Sequence, residues 1–374
     1  MVALSPGPLR LCAHVAAHLP ISRHPVHAAH ELEATLAKHS FDRVVVADEV
    51  LLRALVDQIG ERRDAPWAPF DLTDPAIGGF LLSKHAFVET ADRFGIPIPP
   101  SRIVSSVDHA LAYAAEFEYP VIVRGDKGFA GMEVALAGSP AELRRSTAAS
   151  IERYGRAAIQ RFVRGSSVSA SVLYASGIPL AIKAYRTDCG FPTPTSASTR
   201  HTHFTHPAIE PIVRAIGART GFDGMAGIDF MHDPATNELF AIEVNPRPTL
   251  GFGGSHVSRA FFAPAIRRSL GDDPAALVVY DGRESVQTYF PGHLFFALTH
   301  PQESDARAVS AALAEFRPGD WRTALWEIAR FLRDQLASAA KRFVPAEDCR
   351  QLNARVPTIP TANTLSDSIE LSPI

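Results

Sequence analysis

Cysteine is scarce in this chain of 374 residues, and its three cysteines are Cys12, Cys189 and Cys349. Three widely separated cysteines do not make a disulfide framework. The sequence also contains no Cys-x-x-Cys pair, the spacing that would indicate a zinc site. This cysteine usage is typical of proteins from a reducing compartment, so we expect a cytoplasmic location.

Long apolar runs and an excess of one charge are also missing. No apolar stretch approaches the roughly 20 residues that span a bilayer. The stretch at residues 9–19 is interrupted by Arg10, His14 and His18, which argues against a signal peptide. Lys and Arg number 37 against 40 Asp and Glu, a net charge of −3. This balance gives no electrostatic footprint for nucleic acid, so we do not expect nucleic acid as a partner.

The length and the apolar patterns predict two or three domains of mixed helix and strand. A β-branched run at residues 41–47 predicts a buried strand, and the helical periodicity on both sides of it predicts a small α/β unit at residues 1–80. A single helix is expected over residues 82–94. Residues 187–206, rich in Pro, Thr, Ser and His, are expected to be irregular.

Two neighbouring predicted strands carry the most informative polar residues. The pattern predicts that Gly224–Met231 and Glu238–Val244 pair as an antiparallel hairpin. Side chains alternate along a strand, so Glu243 and Asn245 share a face, and Asp229 on the paired strand can meet them. Two carboxylates and a carboxamide offer only oxygen ligands, which suits Mg²⁺. The alternative is a polar hairpin face that contacts only solvent.

Three segments upstream of this hairpin carry cations or glycines. Lys84 opens a predicted helix, and residues 159–165 read Ile-Gln-Arg-Phe-Val-Arg-Gly. Between them, Arg124 ends a predicted strand and is followed by a glycine-bearing loop and a second strand. The loop glycines let backbone N–H groups approach phosphate oxygens closely. They are Gly125, Gly128 and Gly131.

Taken in order, with Glu-Val-Asn-Pro-Arg at residues 243–247, these segments resemble the ATP-grasp superfamily. The resemblance is to its carboxylate–amine ligases, which include carbamoyl-phosphate synthase and D-alanine–D-alanine ligase. It implies an α+β ATP-grasp fold, in which two α+β subdomains grip ATP. We expect a shortened pre-ATP-grasp α/β domain at 1–80 and an ATP-grasp domain at 81–272. Its glycine-loop lid would cover residues 100–163, and a C-terminal extension would follow at 273–374.

The resemblance implies a role for individual residues. Lys84 and Arg124 would contact the α- and β-phosphates of ATP as fixed cations. Asp229, Glu243 and Asn245 would hold one or two Mg²⁺ ions, with Mn²⁺ as an alternative metal. The other nucleotide contacts would come from the loop, the linker and the strand after it: Gly128, Gly131, Gln160, Arg161, Phe162, Val163 and Ser167.

Two further cations are implied at the reacting group. Lys183 would reach the γ-phosphate, and Arg247 would stabilise the transferred phosphoryl group or the tetrahedral intermediate. The chain departs from the family at several places. Arg124 stands where the second cation is usually lysine, and Ser166 and Ser167 stand where an acidic residue usually holds the ribose.

Other segments support weaker hypotheses. Residues 200–206 are expected to be a substrate loop in which Arg200 or His203 contacts substrate, with a transition-metal site as the less favoured alternative. Cys189 is a disfavoured nucleophile because no base is placed beside it by the sequence. A basic amphipathic helix over 321–343 is expected to pack on its own domain rather than on a membrane surface.

The expected activity is an ADP-forming ligase. ATP would phosphorylate a carboxylate, and an amine would then displace phosphate from the acylphosphate. The substrates would be small molecules, with amino acids among the candidates. The alternatives are an ATP-grasp carboxylase, a phosphotransferase and an ATP-binding protein without catalysis. Dimerisation is common in the superfamily, so a homodimer is compatible with this expectation.

Overall fold

The computed structural model of the protein describes most of the chain as far as residue 315. The described residues are 2–5, 17–59, 65, 67–71, 74–127, 133–191, 198–253, 256–269, 277–282, 286–288, 292–315, 325, 328–329 and 333. Residues 1–331 form one compact unit. Residues 332–374 form a second, of which only Arg333 is described.

Helices form where apolar residues recur at helical spacing and a polar side chain caps the first turn. Ser83, Ser106 and Ser139 each accept a hydrogen bond from a backbone N–H in the helix that follows. The helices are α1 (Pro25–Leu36), α2 (Glu49–Ile59), α3 (Pro75–Leu82), α4 (Lys84–Ala91), α5 (Val107–Ala114), α6 (Pro140–Tyr154), α7 (Ile209–Thr220), α8 (Leu250–Gly253), α9 (His256–Ser269), α10 (Gly292–Thr299) and α11 (Ala306–Ala314).

Strands form where β-branched and alternating apolar residues dominate. The strands are β1 (Val2–Ser5), β2 (Ala17–Pro20), β3 (Ser101–Val104), β4 (Val121–Arg124), β5 (Val134–Ala137), β6 (Ala157–Arg161), β7 (Ser166–Ala175), β8 (Ile178–Gly190), β9 (Ser198–His203), β10 (Gly224–Asp233), β11 (Glu238–Asn245), β12 (Val278–Val279) and β13 (Val286–Thr288). Among the described residues, β1 and β2 form a parallel pair, and the other strands form two larger sheets.

Within the described ranges, the largest sheet has seven strands in the order β11-β10-β7-β8-β9-β13, with β12 paired to β8. Side chains alternate between its two faces. One face is apolar and packs on α7 in the main core, where each fully buried side chain contributes about 1.5–3 kcal/mol. This face includes Val168, Val172, Ile228 and Phe230, and Val213 of α7 belongs to the same core. The opposite face carries the polar residues of the same strands. Because the apolar face is packed in the core, these polar residues are held in fixed positions.

A second sheet has four described strands in the antiparallel order β3-β6-β4-β5. Helices α5 and α6 cover one of its faces, where Tyr113 and Leu143 join Val121 and Ile159 in a separate core. The segments β4 and β5 pair as the predicted strand–loop–strand hairpin. The loop between them therefore starts from a sheet with a core of its own.

The N-terminal segment shares the main core with the largest sheet. Leu52, Trp67 and Phe70 belong to the same cluster of buried residues as the apolar sheet face. The Phe70 ring lies 6.4 Å from that of Phe222, and the Asp223 N–H donates to the Pro69 carbonyl at 2.7 Å. This packing holds α2 beside the end of the sheet. Over the described residues, no helix is both long and apolar enough to cross a bilayer.

The strand expected at residues 41–47 is wrong, since the structure describes this whole segment without a strand. Val46 is buried in the main core, whereas Val45 is 47% exposed. A β-branched run indicates apolar burial. A strand also needs a neighbouring strand that forms hydrogen bonds with its backbone N–H and C=O groups.

The helix expected over residues 82–94 is interrupted at Ser83, whose backbone is extended and whose hydroxyl accepts from the Ala86 N–H at 3.0 Å. The irregular segment expected at 187–206 was also wrong. It contains the end of β8 and all of β9, and β9 pairs with β13 at His201 and Gln287. That pairing joins residues distant in sequence, so local composition could not indicate it.

Candidate active site

The predicted hairpin is present as β10 and β11, and it brings the three predicted metal ligands together. Asp229 lies opposite Glu243, and Gly227 lies opposite Asn245. The Asp229 carboxylate accepts hydrogen bonds from the Ser169 hydroxyl (2.6 Å) and from the Asn245 amide (2.9 Å). Burial and the neighbouring Glu243 charge raise the pKa of Asp229. A bound cation would offset this repulsion between two carboxylates.

A β-bulge interrupts this hairpin between Asp229 and Phe230 and leaves Ile242 without a partner on β10. The Ile242 carbonyl instead accepts a hydrogen bond from Arg124 Nη1 at 2.7 Å. Bulges commonly re-aim side chains next to active sites. Here the bulge supplies a backbone anchor for a buried guanidinium.

Glu243 joins two cations that come from separate elements. Its Oε1 lies 2.9 Å from Lys84 Nζ at the start of α4, and its Oε2 lies 3.3 Å from Arg124 Nη2 at the end of β4. Lys84 is 8% exposed and Arg124 is 4% exposed. Burial lowers the pKa of Arg124, and the Glu243 charge opposes that effect. The two predicted phosphate-binding cations therefore converge on one predicted metal ligand.

Asp126 ties the base of the glycine loop to the start of α4. The Ser83 hydroxyl and the His85 N–H, the latter at 3.1 Å, donate to Asp126 Oδ1. The Asp126 carbonyl accepts from the Lys84 N–H at 3.1 Å. Although burial would raise it, the hydrogen bonds from Ser83 and His85 hold the pKa of Asp126 below its ordinary value. Asp126 thus links Lys84 to the loop that follows β4.

Arg247 extends from the end of the hairpin toward helix α2. Its Nε lies 3.5 Å from Glu49 Oε2, and its Nη2 lies 3.4 Å from Asn245 Oδ1. Glu49 also pairs with Arg53 at 2.7 Å. Glu49 and Arg53 line a small cleft together with Lys84 and Glu243. Sequence reasoning missed Glu49, Arg53 and the clamp by Asp126, because no local spacing shows which helix packs against a distant hairpin.

The linker residues lie where β6 leaves the smaller sheet. Gln160 is buried, and its amide donates to the Ser101 hydroxyl at 2.9 Å. The Arg161 N–H donates to the Pro100 carbonyl at 2.9 Å, so this N–H is engaged in the sheet. Val163 is buried. Adenine contacts of these residues stay predictions.

The two other nucleotide contacts expected around this linker are half-buried or exposed. Phe162 is half-buried, and Ser167 is exposed on β7 opposite Met231 of β10. Gly128 and Gly131 lie outside the described residues. The nucleotide roles of all four stay predictions.

Lys183 lies in a buried aromatic cluster. It is 1% exposed, its Nζ lies 3.3 Å from His201 Nε2, and it lies 5.0 Å from the centroid of the Tyr185 ring. Burial lowers the pKa of Lys183 to about 7. Burial and the Lys183 charge lower the pKa of His201 to about 3. The structure thus places Lys183 against a neutral histidine, and its contact with a γ-phosphate stays a prediction.

Residues 200–203 of the expected substrate loop lie on β9, between β8 and β13 of the largest sheet. Arg186 and Arg200 both pair with Asp188, at 3.2 Å and 3.8 Å. The ring of His203 packs edge-on against Tyr280. Burial raises the pKa of the Cys189 thiol to about 11, which agrees with its disfavour as a nucleophile.

The family comparison identifies the class of fold. Residues 83–251 match the family model described as "ATP-grasp domain". The match covers every predicted phosphate, metal and linker residue from Lys84 to Arg247. The expected resemblance is therefore confirmed, and this part of the chain is an ATP-grasp domain with the expected α+β fold.

Two relatives in other organisms each match less than half of this chain. Urea amidolyase of Lachancea kluyveri is 25% identical over 183 residues, a match that covers 44% of this chain and 10% of that protein. Carbamoyl-phosphate synthase of Methanobrevibacter smithii is 25% identical over 167 residues, covering 43% and 44%. The chain thus spans less than half the length of either relative.

A solved structure extends the likeness in fold. N5-carboxyaminoimidazole synthetase of Staphylococcus aureus, complexed with ADP, superposes with a TM-score of 0.59 at 14% identity. That superposition covers 81% of this chain and 90% of the other. At this identity the likeness concerns the fold alone.

Proposed function

We propose that this protein is an ATP- and Mg²⁺-dependent ligase that joins a carboxylate to an amine and releases ADP and phosphate. The observation that carries the proposal is the convergence of Lys84 and Arg124 on the Asp229–Glu243–Asn245 hairpin. Fixed cations beside oxygen ligands are what phosphoryl transfer requires, since its catalysis rests on positioning and charge stabilisation. The named relatives include carbamoyl-phosphate synthases, which supports the reaction class.

The hairpin fits Mg²⁺ by the chemistry of its donors. Asp229 and Glu243 are adjacent carboxylates, and Asn245 adds a carboxamide. Mg²⁺ prefers oxygen ligands and binds through one or two carboxylates together with substrate phosphates. These three residues would hold it. When bound, Mg²⁺ would neutralise charge on the polyphosphate.

The chain's own cations would act on the phosphates and on the reacting group. Lys84 and Arg124 would exchange their contact with Glu243 for contacts with phosphate oxygens. Arg247, two residues beyond Asn245, would stabilise charge on the transferred phosphoryl group. Asp126 would keep Lys84 in register with the start of the glycine loop, and the role of that loop would be to exclude water from the acylphosphate.

The first test measures ADP and phosphate after incubation with ATP, Mg²⁺ and pooled amino acids. The proposal expects release of both products, dependent on an amine. Glu243→Ala should abolish turnover, whereas Glu238→Ala, an exposed acid on the same strand, should not. Turnover that survives Glu243→Ala would refute the metal assignment.

Product analysis separates this reaction from the alternatives. A ligase releases phosphate, whereas a phosphotransferase leaves it on the acceptor and a carboxylase requires bicarbonate. A nucleotide-binding protein without catalysis is favoured by one departure from the family, namely that Ser166 and Ser167 stand where an acidic residue usually holds the ribose. Titration with ADP alongside the turnover assay distinguishes binding without catalysis.

A further inference from the structure

The two predicted phosphate-binding cations belong to elements that pack in separate cores. Lys84 opens α4, whose Phe87 is buried in the main core. Arg124 ends β4, whose Val121 and Val123 belong to the core of the smaller sheet. The spacing between Lys84 and Arg124 therefore depends on contacts between α4 and the end of β4.

Glu243 supplies one such contact, but it is the contact that a bound phosphate would replace. Its carboxylate pairs with Lys84 at 2.9 Å and with Arg124 at 3.3 Å. Under the proposed function, both cations exchange Glu243 for phosphate oxygens. Their spacing then depends on contacts that remain when Glu243 is exchanged.

The ring of His85 makes a contact of this kind. His85 is the second residue of α4, it is 1% exposed, and its Nε2 lies 3.2 Å from the Arg124 carbonyl oxygen. A carbonyl oxygen can only accept, so Nε2 carries the proton and donates the hydrogen bond. Burial lowers the pKa of His85, which agrees with a neutral ring that donates from Nε2.

The backbone of His85 is held by the same segment. Its N–H donates to Asp126 Oδ1 at 3.1 Å, and Asp126 follows Arg124 by two residues. His85 thus contacts this segment twice, through its ring at Arg124 and through its backbone at Asp126. Two contacts restrict the rotation of α4 against the end of β4 as well as the distance between them.

We propose that His85 is a positioning residue that sets the spacing of Lys84 and Arg124 for a polyphosphate. The proposal rests on the proposed function, since it takes these two residues as the phosphate-binding cations. His85 acts through the Arg124 backbone and not by touching a phosphate. Cations that are held in place before binding lose less freedom when the phosphates arrive. Loss of the His85 contact should therefore weaken binding of the phosphates and leave binding of the base and ribose unchanged.

The experiment measures the affinity of the full chain for ADP, pyrophosphate and adenosine by calorimetry. EDTA is present, so that only the chain's own cations contact the phosphates. His85→Leu should weaken binding of ADP and pyrophosphate about tenfold, the value of one hydrogen bond, and should leave adenosine binding within about twofold. His85→Gln, whose amide can donate from near the position of Nε2, should restore ADP binding to within about threefold of the wild type.

Two control variants separate this role from general effects on α4 or on buried histidines. His293→Leu removes a histidine of α10 that is also buried. Glu89→Gln removes an exposed ion pair between α4 and Arg156. Neither should change the ratio of ADP affinity to adenosine affinity, since exposed ion pairs contribute little. Urea unfolding shows that each variant is folded.

The outcomes distinguish the inference from the proposed function. Unchanged ADP affinity in His85→Leu, equal weakening of ADP and adenosine binding, or failure of His85→Gln to restore ADP binding would overturn the inference alone. A wild-type chain that binds neither ADP nor pyrophosphate would overturn the proposed function and the inference together. Selective loss of phosphate affinity in His85→Leu, in a chain without turnover, would support the inference while refuting the ligase proposal.

Discussion

Replacing Glu243 by glutamine should destabilise the nucleotide-free protein and strengthen its binding of ADP in the absence of metal. The carboxylate now neutralises Lys84 at 2.9 Å and Arg124 at 3.3 Å. Glutamine has a similar shape but no charge, so both cations would remain buried without a counter-charge. The diphosphate of ADP would then supply the missing negative charge without first displacing Glu243.

The magnitude follows from burial. Breaking a buried ion pair by removing one partner costs about 3–5 kcal/mol. The Glu243 side chain is 23% exposed, so we expect the lower end, about 3 kcal/mol. For a domain of about 200 residues this lowers the melting temperature by about 6–12 °C. If ADP binding restores part of this lost stability by supplying the missing negative charge, the affinity for metal-free ADP rises about tenfold to hundredfold.

The assay is urea unfolding and ADP titration in EDTA, with Glu238→Gln as the control from the exposed end of β11. Turnover with Mg²⁺ should fall in the same Glu243 variant, because it lacks a proposed metal ligand. A variant as stable as the wild type, or one that binds metal-free ADP more weakly, would show that Glu243 does not serve as the counter-charge of Lys84 and Arg124.

Three further predictions concern stability. Because burial lowers the pKa of Lys183 to about 7 from 10.5, the unfolded chain binds one more proton between these values. The free energy of unfolding should therefore rise with pH across this window by about 1.4 kcal/mol per pH unit, and Lys183→Met should remove this dependence in urea titrations. Gly165→Ala places a Cβ 1.8 Å from the His232 carbonyl and should cost about 1–3 kcal/mol, whereas Gly253→Ala, with open space at its Cβ, should cost far less. Asp126→Ala should lower the free energy of unfolding by about 1.5–3 kcal/mol and weaken ADP binding. An unchanged ADP affinity would contradict the link between Asp126 and Lys84.

The sequence predicted correctly those features that depend on residues close together in the chain. The Glu-x-Asn spacing on one strand and Asp229 on its neighbour predicted a shared face, and the register of β10 and β11 confirms it. The β4–β5 hairpin also formed as predicted, because apolar periodicity decides such elements. The order of motifs then predicted the ATP-grasp fold.

Contacts that depend on packing could not be predicted. The bulge that frees the Ile242 carbonyl for Arg124 has no signature in the residue types of β11. The approach of Glu49 to Arg247 depends on where α2 packs. Lys183 was assigned to phosphate by its position on a strand, but its burial beside His201 depends on β9 and residues beyond it. Such non-local contacts are set by the core rather than by spacing.

We propose that Lys84 and Arg124 bind the phosphates while the β10–β11 hairpin binds the metal. A crystal structure with ADP and Mg²⁺ would show both sets of contacts. We predict a diphosphate in contact with both cations, Mg²⁺ on Asp229, Glu243 or Asn245, and a broken Lys84–Glu243 contact. Nucleotide bound elsewhere, or a Lys84–Glu243 distance still at 2.9 Å with ADP bound, would contradict the account.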